Sequence, residues 1–179
     1  MSLLRLAPLG VALGVALLSA CTVRPMYSDV AIGPGAAASS SESLRSVIVS
    51  QEATRPGLET RNHLIFLLNG GAAQTAQPRY TLQLRVVSAK GTTALVQTTR
   101  DSEPTAGNIR LTSNYVLTDM TDGKVVARGT RSVTSSYDVP LQEFAALRAV
   151  RNAEDRAARE LAELMRHVVA QDLSRLGQG

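Results

Sequence analysis

The sequence predicts an α+β fold: a two-layer sandwich in the order β-α-β-β-β-α, with about four strands and two helices packed on one face of the sheet. Two patterns carry that prediction. Tyr80–Val86 and Ile109–Leu117 alternate apolar and polar residues with a period of two, as strands with one buried and one wet face do. The closing stretch Val139–Leu176 instead repeats its apolar residues at the spacing of an α-helix.

The elements follow in order. "RSVIVSQ", Arg45 to Gln51, is short and β-branched between polar residues and is the first strand. Pro56 to Leu68 is the first helix, with Leu58, Ile65 and Leu68 at helical spacing, Arg61 and Asn62 on the other side, and Asn69-Gly70-Gly71 as its stop signal. In the next strand Tyr80, Leu82, Leu84 and Val86 face one way, and Thr81, Gln83 and Arg85 the other. Beyond Lys90-Gly91 the alternation loosens through "TTALVQTTR", which is either a bulge or the start of a second piece. "DSEPTAGN", 101–108, is expected to be a turn.

Ile109, Leu111, Tyr115 and Leu117 then share one face, opposite Arg110, Thr112 and Asn114. "DMTDG", Asp119 to Gly123, has hairpin chemistry. It leads into the final strand, in which Val125, Ala127, Val133 and Tyr137 share a face. Pro140 suits the first turn of the closing helix. The stripe of that helix is Val150, Ala153, Ala157, Leu161, Leu164 and Val168, rich enough in alanine to approach a sheet closely. Its other face offers the pairs Arg151–Asp155, Arg156–Glu160 and Arg159–Glu163. The second face of the sheet carries Thr, Gln, Arg and Asn. It is either simply wet or the working surface.

Residues 1–20 have the pattern of a secretory signal: Arg5, then the apolar "LAPLGVALGVALL", then small residues before a boundary. The apolar run is shorter than the roughly 20 residues of a bilayer-spanning helix. Leu18-Ser19-Ala20-Cys21 resembles a bacterial lipobox, in which the thiol carries diacylglycerol and the new amino terminus is acylated after cleavage. Several chains on one cysteine make such an anchor stable. Cys21 is the only cysteine, so the mature chain has no internal disulfide and depends on burial for its fold. Thr22 stands where lipoproteins kept at the inner membrane often have Asp, and by that resemblance the destination is the periplasmic side of the outer membrane. The expected organisation is a signal peptide at 1–20, a lipidated N-terminus and flexible tether at 21–43, and a single domain at 44–179. The tether includes the Gly/Pro/Ser-rich "SDVAIGPGAAASSSES".

Without Arg5 the chain has 18 basic and 15 acidic residues, a net charge of +3. All the basic residues except Lys90 and Lys124 are arginines, whose forked donors suit phosphate. The near absence of aromatic residues argues against nucleic acid, which is bound by stacking as well as charge. His63 and His167 lie far apart, and no CxxC, HExxH, GxSxG or phosphate-binding glycine loop occurs. Ser135-Ser136 has no identifiable base beside it. The sequence is therefore read as non-enzymatic, without metal or cofactor apart from the covalent lipid on Cys21.

Taken in order, "CTVRPMY", "TRNHLIFLL", "YTLQLRV", "LTSNYVLTDMTDGKVVARGTRSVTSSYDV" and "FAALRAVRNAEDRAARELAELM" resemble the LptE family of lipopolysaccharide-assembly lipoproteins in its alphaproteobacterial form. The markers are Arg24-Pro25-Met26-Tyr27, the pair Arg61-Asn62, and Tyr115, Leu117, Asp119, Gly123, Tyr137, Phe144 and Ala145. The resemblance covers most of the mature chain. It implies a lipoprotein lodged inside the β-barrel LptD, plugging the barrel and assisting its assembly, with lipopolysaccharide as a candidate ligand. Lipid-contacting basic residues of the family lie near strand ends; Arg100 is the nearest match, with Lys90 and Arg110 as further candidates. The basic residue expected at the start of the final helix is absent from "VPLQEFAAL". The alternative is a periplasmic auxiliary lipoprotein of an ABC-type lipid transport system, which would bind lipid without a barrel.

Overall fold

A computed structural model describes residues 38–97 and 102–176. Its elements are α1 (Ala38–Arg45), β1 (Val47–Val49), α2 (Arg55–Asn69), β2 (Tyr80–Gln97), β3 (Ser102–Asp119), β4 (Val125–Asp138) and α3 (Glu143–Leu176). The strands form one sheet in the order β1-β2-β3-β4; β1 runs parallel to β2 and the other neighbours are antiparallel. The helices α2 and α3 pack against each other and against one face of this sheet, α2 toward β1 and β2, α3 toward β3 and β4. This is the α+β sandwich that the alternation predicts.

The alternation also puts most of the correct residues inside; Val125, expected on the buried face, is 50% exposed, because the register shift between Leu117 and Thr118 turns it to the other face. Leu82, Leu84 and Val86 of β2 are buried, with Ile109, Leu111, Tyr115 and Leu117 of β3 and Val133 and Tyr137 of β4. From α3 come Ala153, Ala157, Ala158, Leu161, Ala162, Met165, Val168, Val169 and Leu173. Four alanines in that set have no exposed surface, so the helix axis lies close to its neighbours. Tyr115 adds a polar tie: its hydroxyl donates to the Asp172 carboxylate at 2.9 Å. Burial and that bond together push the Tyr115 phenol above its ordinary 10.0.

Thr54 starts α2. Its backbone is extended, its hydroxyl accepts from the Gly57 N–H at 3.2 Å, and Pro56 follows in the first turn. Gly70 stops the helix in the left-handed region, φ 62°, as the Asn-Gly-Gly signal predicts. Between β3 and β4 the Asp119 carboxylate accepts from the Thr121 N–H at 2.8 Å, and Gly123 takes φ 71°. Donation from Thr121, aided by Arg79, holds the Asp119 carboxyl below 3.8.

Several expectations need correction. Helix α1 occupies 38–45, within the stretch read as tether and into the predicted first strand, which shrinks to Val47–Val49. The buried stripe of α2 is Gly57, Thr60, Leu64 and Leu68, so Leu58, expected inside, is 42% exposed. Pro140 precedes α3, which begins only at Glu143. None of the three predicted pairs on α3 closes among the described residues. Asp155 instead takes Arg55 of α2 at 2.9 Å, and Arg156 reaches β4.

The largest correction concerns "DSEPTAGN". Residues 102–108 are strand, in register with β2 from Gln97↔Ser102 onward, and the irregularity near Thr92 and Ala94 is a bulge in one continuous strand. Pro104 is tolerated because β4 ends at Asp138, opposite Ala106. Pro104, paired with Leu95, also adjoins the register shift at Ala94, and a bulged ribbon with one free side can hold a residue that lacks an N–H.

Candidate functional site

Because the helices cover only one face, the other face of β2, β3 and β4 is open. It carries exposed Gln83, Arg85, Arg110, Asn114, Arg128, Thr130 and Thr134. The strand register places them. Arg85 is level with Asn114, Asn114 with Thr130, Arg110 with Thr134, and Arg128 with Val116. The Thr130 hydroxyl donates to Asn114 Oδ1 at 2.7 Å, which ties β4 to β3 across this surface.

Arg85, Arg110 and Arg128 make no ion pair and no side-chain hydrogen bond within the described residues. Strand spacings of about 4.8 Å and 3.3 Å per residue separate Arg85 from Arg128 by about 12 Å and from Arg110 by about 14 Å. That is too wide for chelating one phosphate and suits an extended anionic or polar surface. Arg85 and Arg128 were not singled out in the sequence, although the period-two pattern already assigned both to the wet face.

The sequence candidates do not assemble into one site. Cys21 and Arg100 lie outside the described residues. Lys90 and Arg110 are both exposed, but they occupy opposite faces of the sheet, since Lys90 follows the phase of Leu82, Leu84 and Val86. Lys90 stands at the rim of a cleft of about 160 Å³ between the sheet and the start of α3, walled by Gly107, Tyr137, Ala146, Leu147 and Val150. Its ammonium lies 6.0 Å from the Tyr137 ring centre. Gly107 leaves room for that ring, since a Cβ there would stand 2.5 Å from it. Beside the cleft, Leu141 and Phe144 are 91% and 85% exposed.

The cleft is smaller than the ~300–1,000 Å³ of ordinary ligand pockets. Among the described residues no three His, Cys, Asp or Glu side chains converge as metal ligands do, and no helix is long and apolar enough to cross a membrane. This geometry offers two binding surfaces: charge and hydrogen bonds across the open face, and apolar contact at the start of α3.

No protein-family model and no curated protein matches the chain. Solved structures do. A crystal structure of a Caulobacter crescentus protein described as a lipoprotein has a TM-score of 0.61 at 23% identity, covering 76% of this chain and 97% of that one. The rare lipoprotein B of Shewanella oneidensis matches with a TM-score of 0.54 at 12% identity, over 73% and 96% of the two chains. A minor lipoprotein of Acinetobacter baumannii matches with 0.51 at 13%, over 70% and 89%. The fold is thus one that bacterial lipoproteins use.

Proposed function

We propose that this chain is a non-enzymatic lipoprotein of the outer membrane, anchored through Cys21, that plugs the barrel of the lipopolysaccharide translocon and assists its assembly. The observation that carries the reading is the open sheet face. A helix-backed domain that leaves one face open and mostly polar, with three arginines unpaired among the described residues and Val87, Val116 and Val125 only scattered between polar side chains, suits the wet interior of a large β-barrel. The lipobox at Leu18–Cys21 and a fold found in bacterial lipoproteins support the anchor. The ordered LptE-like segments supply the barrel as partner, and lipopolysaccharide phosphates are the anions that the exposed arginines would meet.

The test is extraction of outer membranes in mild detergent with the tagged, lipidated protein, and identification of what co-purifies by mass. A barrel of the lipopolysaccharide-export type in stoichiometric amount is the expected result. Recovery of lipid without any barrel would move the protein to the auxiliary-lipoprotein class. The Cys21→Ser variant should no longer incorporate labelled palmitate, and label still entering it would sink the lipobox reading.

A further inference from the structure

A sheet of four strands has two edges, and here β1 or side chains block part of each. Along β2, the parallel strand β1 covers Tyr80 to Leu82, and the Ser50 N–H donates to the Leu82 carbonyl at 2.9 Å. Where β1 stops, side chains take its place. Glu52 Oε1 accepts from the Val86 N–H at 3.0 Å, and the Thr54 hydroxyl donates to the Val86 carbonyl at 3.5 Å. On the far edge, two arginines reach carbonyls of β4. Arg131 donates to Thr130 at 2.8 Å, and Arg156 of α3 donates to Ser136 at 2.6 Å. These contacts occupy groups that an added strand would need.

On β4 the outward groups of Ser132 and Thr134 lie between the two blocked carbonyls; on β2 a longer stretch has no such cover. The backbone groups of Val86 face outward, and the alternation of an antiparallel strand turns those of Ser88 and Lys90 the same way. Among the described residues no side chain caps them and no strand lies beside them. The strand nevertheless runs on to Gln97, past the end of β4, as half of a two-stranded ribbon with β3. An isolated two-stranded ribbon is marginal in water. The other side of the ribbon is a poorer acceptor, because beyond the end of β4 it offers only residues 102–105.

We infer that the outer edge of β2, from Ser88 toward Gln97, accepts an extended segment of a partner protein as an added strand, continuing the line that β1 begins. Main-chain hydrogen bonds supply the affinity and alternate side chains the choice of partner. The residue opposite Lys90 on the helix side is acidic: Lys90 is exposed there and has no carboxylate partner among the described residues. The inference rests on the barrel-plug reading for the identity of the partner, which is then an extended segment of the barrel protein.

Amide hydrogen exchange on the lipidated protein, alone and in the complex purified from outer membranes, tests it. Exchange at Ser88, Lys90 and Thr92 should slow on the order of tenfold or more in the complex, and the outward amides of Ser132 and Thr134 on β4 should stay as they were. Two variants accompany the measurement. Lys90→Pro removes one outward donor and should abolish co-purification, whereas Lys90→Gln keeps the donor and should weaken it only partly. Amides at Ser88–Thr92 that exchange equally fast in an intact complex would overturn the inference and leave the plug reading standing. So would a folded Lys90→Pro variant that still binds normally, or protection arising in a dimer of this chain without the barrel. If no barrel co-purifies at all, the plug reading itself fails first.

Discussion

Replacing Ala157 with glutamate should cost this domain most of its stability. Ala157 has no exposed surface and sits among Ala153, Ala158 and Leu161, which have none either. The new side chain would have to fit where an alanine stripe holds α3 close to its neighbours, an overpacking cost of about 1–3 kcal/mol. Its carboxylate would be buried without a partner, at about 3–5 kcal/mol. The sum, roughly 4–8 kcal/mol, compares with about 5–15 kcal/mol for a whole domain.

At about 4 °C per kcal/mol for this size, the melting temperature should fall by roughly 15–30 °C, if the variant folds at all. Arg159→Glu, two residues further on, is the matched control. Arg159 is exposed, and the change sets a third acid between Asp155 and Glu163 at four-residue spacing. Like-charge pairs of that kind cost about 0.2–0.5 kcal/mol each, so this variant should lose at most a few degrees. Thermal melts followed by far-ultraviolet circular dichroism, with urea titrations alongside, make the comparison. Equal melting temperatures for the two variants would mean that the phase of α3 is wrong.

Three further outcomes are expected. Tyr115→Phe removes the bond to Asp172 and should cost about 1 kcal/mol. Because the folded phenol titrates above 10.0, the unfolded chain loses its proton first, so wild-type stability should hold below about pH 10 and fall above it. Urea titrations at pH 8 and 11 should show a smaller drop for the Phe variant. Gly107→Ala drives a methyl into the Tyr137 ring and should cost about 1–3 kcal/mol, a loss that a Tyr137→Leu background relieves in a double-mutant cycle. Arg85→Glu combined with Arg128→Glu should leave the melting point within about 2 °C, since both are exposed and unpaired. It should weaken retention on lipopolysaccharide-coated beads, and the difference should shrink as salt is raised; unchanged retention at low salt would remove the open face from anion binding.

By itself the sequence determined what is local. Period-two alternation identified the buried face of β2 and β3 residue by residue, because neighbouring side chains on a strand point to opposite sides whatever the partner strand does. The alanine stripe of α3 and the stop at Gly70 were legible for the same reason: helix period and left-handed glycine belong to the chain, not to its surroundings. Polar residues on the second sheet face were legible too, and with them Arg85, Arg110 and Arg128.

Only the tertiary structure decided what depends on neighbours. Pro104, Gly107 and Asn108 carry turn chemistry, yet they lie in β3, because its pairing with β2 runs on to Ser102 and the Tyr137 ring needs the space that Gly107 leaves. Asp155 and Arg156 had suitable partners four residues away on their own helix, but Arg55 and the Ser136 carbonyl won them. Exposed helical pairs are worth only tenths of a kcal/mol, so any better-placed group from another element prevails. Lys90 and Arg110, both candidates for one lipid site, were separated by the sheet itself: they lie on adjacent strands one register step apart, and one step of a strand is a change of face.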